Sequence, residues 1–520
     1  MIKRLVLLLL TLFGVGDMMV GVCHAEDITI RYDGSKVKVR QTKRDSVTVT
    51  VDGACVNVES LYESRKITLL LKGKSDDGQL NLKTAGKAKV TLDGLTLTSQ
   101  EGAPLRLNNK KKVEVVVAKG SKNTLTITAC NDTVNHKAAV IWAKDKLLLS
   151  GKGTLDIVAT GDGCRGIKSK KDITIEDVTL NVTTSGDNLG EKPFGFGGFP
   201  GMPEGGFEMP EGGFPNFPDS FPGFPGGGFP NFPDSIPMMG GFPGFPGGGF
   251  PMGGFPGFGN REEGDSIPGD FGDFGDFGGG FGGGFGGKHK YVASTKGIAS
   301  KGVITINSGN VTVRTSTAGA EGIEGKEGVI FNGGNVDVLS PDDAINAGAC
   351  IEFNGAHVVA HSLGNDAVDS NPKGGFFMPF GNNAQSNEPA IIIRGGTVYA
   401  WSEVGSPEEG LDCDFASLVV EGGKVFTVGG GMGEMPSVPT NETAHQPTAL
   451  LIGLNIAKDE PVSIYDAGGK LLDTVTIPFS MRRSASLVSS PVFQVGNSYT
   501  VKTKDYEKTI TFNENFIAVR

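Results

Sequence analysis

The sequence predicts an all-β chain folded as a parallel β-helix, a solenoid of stacked rungs, and two observations carry that prediction. The first is a phrase repeated between residues 297 and 428. It reads Lys296-Gly297-Ile298-Ala299, Glu321-Gly322-Ile323-Glu324, Asp343-Ala344-Ile345-Asn346, Asp366-Ala367-Val368-Asp369 and Glu409-Gly410-Leu411-Asp412. The aliphatic residues at 298, 323, 345 and 368 are 25, 22 and 23 residues apart. The longer step to Leu411 carries an insertion, Asn371–Glu388, that restores the period. The second observation follows each phrase: a strand, a corner of small residues and another strand, as in VITINSGNVTVRTS and GVIFNGGNVDVLS. Apolar and polar residues alternate within these segments, as a strand with one buried face requires.

A fixed period in the low twenties with short β segments marks a repeat architecture. The Leu-x-x-Leu-x-Leu consensus of a leucine-rich horseshoe is absent, no repeat carries helical periodicity, and a propeller blade needs about 40 residues.

The repeats extend toward the N-terminus. Residues 26–60 alternate and read as capping strands or an early rung, and residues 67–187 hold irregular rungs. The last of these, Arg165-Gly166-Ile167-Lys168 followed by DITIEDVTLNVTTS, matches the later phrase. Residues 188–287 break the pattern with runs such as GFPNFPDSFPGFPGGGF and GGGFGGGFGG. Gly and Pro preclude regular strands there, so a long flexible insertion between rungs is expected, either a spacer or a Phe-rich self-association segment. Loop closure grows only with the logarithm of length, so such an excursion costs little. Residues 288–446 continue the helix. From 447 to 520 the period is lost, and a small β unit is expected to cap the last rung, because an open end exposes unpaired strand edges.

The 520 residues include 81 Gly, 28 Pro and two Trp, with a formal charge of −10. That balance argues against nucleic acid as partner. Residues 1–25 carry Lys3 and Arg4, an apolar run from Leu5 to Val15, and Cys23-His24-Ala25, the pattern of an export signal cleaved after Ala25. A secreted, periplasmic or cell-surface protein is expected, and no later segment could cross a membrane as a helix. The remaining cysteines, 55, 130, 164, 350 and 413, lack metal-type spacing and are expected to pack as small apolar residues.

Stacking the phrases stacks their acids. Glu321, Asp343, Asp366 and Glu409 fall in one column, and Glu324, Asn346, Asp369 and Asp412 in a second, with Asp342 and Glu408 beside them. Carboxylates held ~4.8 Å apart repel, and Ca²⁺, which takes oxygen ligands, would remove the repulsion. The expected metal ligands are therefore Glu321, Glu324, Asp342, Asp343, Asp366, Asp369, Glu409 and Asp412, against the plainer reading of solvated turn acids. At Lys296 the acid is replaced, and no metal is expected on that rung. The six His are scattered, which speaks against zinc. In Thr397-Val398-Tyr399-Ala400-Trp401, alternation sends Tyr399 and Trp401 to one side. They form an outward aromatic step for a sugar ring, or else they pack under the 371–388 insertion or the C-terminal cap. Trp142 leaves the same choice open.

The strings GDGCRGIKSKKDITI, KGIASKGVITINSGNVTV, EGIEGKEGVIFNGGNVDV and DDAINAGACIEFNGAHVV resemble bacterial secreted carbohydrate-binding β-helix proteins. LTLTSQEGAPLRLNNKKKVEVVVAKGSKNTL is similar to the front half of the same family. The resemblance implies a right-handed parallel β-helix of pectate-lyase-like shape. It also implies bound calcium and non-catalytic binding of cellulose-like or uronic-acid-containing polysaccharide. The family's Asp-Gly-Ile phrase is here Glu-Gly-Ile at 321–323 and Asp-Ala-Ile at 343–345, which leaves the calcium count open. The segments IYDAGGK and GNSYTV further resemble C-terminal sorting domains of a bacterial secretion system.

Two alternatives stand beside the binding reading. A calcium-dependent polysaccharide lyase on the same scaffold would use a Lys base, Lys168 beside Arg165 or else Lys326. A structural or adhesive surface protein would assemble through 188–287.

Overall fold

The computed structural model describes residues 27–42, 47–130, 138–192, 290–372, 389–413, 416–430 and 436–520. The expected export signal, nearly all of the Gly/Phe/Pro insertion and most of the 371–388 insertion lie outside the described residues. Every described regular element is a strand. Among the described residues no helix is long and apolar enough to cross a membrane.

The repeated phrase forms short strands that pair in parallel within an 11-stranded sheet. These are Arg165–Ser169, Ile298–Ser300, Ile323–Gly325, Ile345–Ala347, Val368–Ser370 and Leu411–Asp412. Register is strict: Ile167 faces Ile298, then Ile323, Ile345, Val368 and Leu411 follow in turn. Each of these aliphatic side chains is at most 3 % exposed, so a one-residue slip would bring the polar neighbour inward. The two strands after each phrase join a 23-stranded sheet, where Ile304, Val329, Ile351, Ile391 and Leu418 stack the same way. Phe331 and Phe353 stack in the core with centroids 5.1 Å apart.

The corners explain the small residues between those strands. Gly309 and Gly334 have φ of +96° and +85°, and a Cβ on Gly334 would lie 2.5 Å from the Gly309 carbonyl oxygen. Only glycine combines that backbone with so close an approach. Beside them the side-chain amides of Asn332 and Asn354 each donate to the preceding repeat, to Asn307 and Asn332, at 2.8 Å. Within the phrase itself, a Cβ on Gly322 would lie 2.5 Å from the Ala344 carbonyl oxygen, so adjacent repeats approach closely behind the acidic position.

The expected right-handed parallel β-helix is overturned at the level of architecture. The large sheet mixes parallel and antiparallel pairing, and no closed solenoid is found among the described residues. Ile28–Asp33 pairs antiparallel with Lys36–Gln41, and Val47–Asp52 pairs antiparallel with Cys55–Ser60. Near the C-terminus, Met481–Ser489 runs antiparallel to both Lys424–Val428 and Thr448–Ile456, while Phe516–Val519 lies parallel to Thr448–Ile456. At the N-terminal end the reason is local. The two-residue turns at Gly34 and Gly53, both at positive φ, reverse the chain into hairpins whose twist a parallel stack does not contain. A repeat period specifies how successive repeats pair, but not which partners its end strands take.

The region expected as a cap divides its strands between sheets. Thr448–Ile456, Met481–Ser489 and Phe516–Val519 continue the large sheet. Pro461–Asp466, Leu471–Thr476, Ser498–Lys502 and Glu507–Thr511 form a separate four-stranded antiparallel sheet. Cys55, Cys130, Cys164, Cys350 and Cys413 form no disulfide among the described residues; Cys164 and Cys413 are buried and the others partly so.

Candidate functional site

Register places the predicted acids on, or just before, neighbouring strands of the 11-stranded sheet. Glu324 faces Asn346, Asn346 faces Asp369, and Asp369 faces Asp412. In the other column the Gly322 amide donates to the Asp343 carbonyl and the Ala367 amide to that of Glu409. Asp343, Asp366, Asp369, Glu409 and Glu324 are all buried. Buried carboxylates of this density demand compensation.

At one end that compensation is lysine. Lys296, itself buried, places Nζ 2.7 Å from Glu324 Oε1 and 3.0 Å from Glu321 Oε2. Lys326 reaches the same Glu324 oxygen at 2.5 Å. Burial works against ionisation of Glu324, but the two lysines overcome it and hold its carboxyl far below the ordinary range. Burial and the Glu324 charge push Glu321 up to about 7. Lys296 stays charged, because the two glutamates outweigh its desolvation. The ammonium groups stand as the counter-ions of Glu321 and Glu324, both expected as metal ligands.

Further along, amides and backbone supply the contacts. Asn346 Nδ2 donates to Asp343 Oδ2 at 2.8 Å and to Asp369 Oδ2 at 3.1 Å, and Asn371 donates to the same Asp369 oxygen at 2.7 Å. The Glu409 amide donates to Asp366 Oδ1 at 2.5 Å, and the Ser437 amide to Glu409 Oε2 at 2.6 Å. Asp412 accepts from the Ser437 hydroxyl at 3.4 Å, and Asp342 accepts from Asn365 at 2.7 Å. Glu408 lies beside them, half-buried. Burial, with the charges of Asp412 and Asp369, pushes the Asp366 carboxyl well above its ordinary value, against the pull of the Glu409 amide. The donors are all hard oxygens, the set Ca²⁺ prefers. Among the described residues, no three His, Cys, Asp or Glu side chains stand together as a ready-made metal site.

The aromatic pair is placed differently. Val398 and Ala400 point into the core as alternation requires, and Tyr399 stacks on Trp401 with centroids 5.9 Å apart. Trp401 is only 7 % exposed, however, and packs in the C-terminal core edge-on to His361, whose imidazole stacks with Phe479. Tyr399 is half-buried. The pair is therefore no open step, because the C-terminal strands cover Trp401.

Of the lysines considered as bases, Lys168 is buried, between Trp142 and Ala299 in register, and Lys326 is bound to Glu324. Arg165 hydrogen-bonds Ser294 through both backbone and side chain. Around Trp142, whose role the sequence left open, sequence reasoning missed four partners. Arg106, Asn108, Trp142, Lys144 and Lys170 line one cavity of about 200 Å³ on the same sheet. The available signal was the recurrence of Lys one residue past successive strands.

Comparison with known proteins places these residues in context. Residues 43–192 and 285–367 match a family model described as "Carbohydrate-binding domain-containing protein". A protein of that description from Acetivibrio thermocellus is 27% identical over 139 residues, covering 25% of this chain and 48% of the relative. The chain thus spans about half the length of the curated relative it matches. Among solved structures, a polysaccharide lyase-like protein from C. thermocellum, a gadolinium derivative, aligns with 15% identity over 66% of this chain and 92% of that one. Its TM-score is 0.36. Over residues 43–192 and 285–367, this chain is similar to the carbohydrate-binding domain family.

Proposed function

We propose that the protein is an exported, non-catalytic polysaccharide-binding protein whose grip on uronic-acid-containing or cellulose-like glycan depends on calcium. The observation that carries this reading is the buried run of carboxylates Asp343, Asp366, Asp369 and Glu409, continued by Asp412, on or immediately before strands paired in register. It sits beside the family match to carbohydrate-binding domains. Ca²⁺ would be held by these five residues, with Asp342 and Glu408 adjoining, and water and backbone carbonyls completing a shell of about six to eight oxygens. Glu321 and Glu324 drop out, because Lys296 and Lys326 supply their positive charge. Bound calcium would offer an acidic glycan a cation on an otherwise repelling surface.

The test is retention on polygalacturonate and on cellulose with and without a calcium chelator, while following absorbance near the wavelength of unsaturated uronide products. Calcium-dependent retention at flat absorbance supports the reading. Rising absorbance would make the protein a lyase, and no retention under either condition would overturn glycan binding.

A further inference from the structure

We propose that Arg106, Asn108, Trp142, Lys144 and Lys170 form a calcium-independent subsite for the carboxylate-bearing sugar of an acidic polysaccharide, separate from the carboxylate columns. This rests on the reading of the chain as a polysaccharide binder and names where, and with what charge, a second part of the glycan is held.

The cavity spans neighbouring strands of the 11-stranded sheet. Trp142 faces Arg106 on one side and Lys168 on the other. The Lys144 amide donates to the Leu107 carbonyl and the Lys170 amide to that of Ala143, so Asn108, Lys144 and Lys170 occupy the same corner of three successive repeats. Lys301 and Lys326 continue that corner by the same bonds to Ser169 and Ser300. Lys326 is neutralised by Glu324. Lys144 and Lys170 are exposed and make no ion pair among the described residues. A chain of formal charge −10 therefore presents cations in register, about 4.8 Å apart along the stack. They repel each other, and an anion between them relieves that repulsion.

Trp142 supplies an independent sign of a ligand. The side chain is 3 % exposed and fixed against Ala103 and Ala139, yet its indole Nε1–H has no acceptor among the described residues. A buried donor without an acceptor is costly, and because the same residue lines the cavity, a carboxylate or hydroxyl oxygen that reached the indole edge there would relieve that cost. The Arg106 guanidinium offers the planar fork that matches a carboxylate, and the Asn108 amide can meet ring hydroxyls.

The experiment measures retention of the full chain on polygalacturonate at low salt with a calcium chelator present. The wild type is compared with K144A/K170A and with W142F. The expected result is chelator-resistant retention that weakens as salt rises and falls by about ten-fold in K144A/K170A, with the calcium-dependent part unchanged. Both lysines are exposed, so the double variant should melt with the wild type. W142F keeps the ring and removes the donor, and should lose affinity by a few fold. Chelator-resistant retention that is absent, or indifferent to K144A/K170A, overturns the subsite. Equal retention of double-stranded DNA overturns it as well, by revealing a non-selective charge patch. The two readings fail separately. Calcium-dependent retention that survives while the chelator-resistant part is missing leaves the proposed function standing without this subsite. Chelator-resistant retention alone does the reverse.

Discussion

Lys296 Nζ lies 2.7 Å from Glu324 Oε1, with the two side chains only 8% and 5% exposed. This ion pair ends the acidic column with a fixed charge rather than an exchangeable ion. It divides the predicted ligand set into the lysine-compensated Glu321 and Glu324 and a larger part built of Asp342, Asp343, Asp366, Asp369, Glu409 and Asp412.

Removing the lysine should show its structural weight. Lys296→Met leaves Glu324 with Lys326 alone and Glu321 without its close cation. Breaking a buried pair from one side costs about 3–5 kcal/mol. Urea denaturation of K296M should show a loss of that order, and K296M/E324Q should recover part of it. An unchanged midpoint would mean that the pair is dispensable.

The same cluster sets a pH dependence. Burial first, and the Glu324 charge second, push the Glu321 carboxyl up to about 7, against its ordinary 4.5. The folded state thus binds this proton more tightly than the unfolded state. Its contribution is fully present below about 4.5 and is lost as pH rises through about 7. Glu324 runs the other way, its contribution present above the ordinary carboxylate range and lost as pH falls toward its depressed folded value. Urea midpoints of the wild type relative to Glu321→Gln should therefore decline across the window from 4.5 to 7. A flat difference would place the ionisation elsewhere.

Calcium should act on the larger part. A ligand that binds only the folded state at a hundred times its Kd adds about 2.7 kcal/mol. The wild type should melt higher with calcium than with chelator, and D369N and D366N should each lose most of that increment. E321Q should keep it. Equal calcium shifts in all four proteins would sink the assignment of these ligands.

Trp401 should behave as core. Trp401→Ala opens a void in the C-terminal core beside His361, and should cost about 3–5 kcal/mol. Glycan retention per folded molecule should be unchanged. Retention lost at full stability would return Trp401 to the glycan surface.

The corner glycines offer a backbone test. Gly334→Ala places a Cβ 2.5 Å from the Gly309 carbonyl oxygen at a φ of +85°. It should lower stability by at least about 1–3 kcal/mol, read from the same urea titration.

Much of this molecule is legible along the chain. The period of the phrase determined that Ile298, Ile323, Ile345 and Val368 stack, because the pleat alternates faces and only one face carries aliphatic residues. The same period determined that the acids fall in columns. Tertiary structure decided what each column meets. Lys296 read as a missing ligand and turned out to be the counter-ion of the next repeat, a relation set by side-chain reach across strands rather than by spacing. For Trp401 the alternation left open an outward step or a place under the C-terminal cap, and the C-terminal strands cover it. The lysines at 144 and 170 recur one residue past their strands, but only strand register sets them beside Trp142. The sheets' mixed pairing was likewise beyond the repeat, because end strands pair with whichever edge the hairpins and C-terminal strands bring to them. Periodicity is a short-range property of the chain, and it specifies neighbours. Closure, cover and charge compensation depend on groups far apart in sequence, and only the folded chain brings those together.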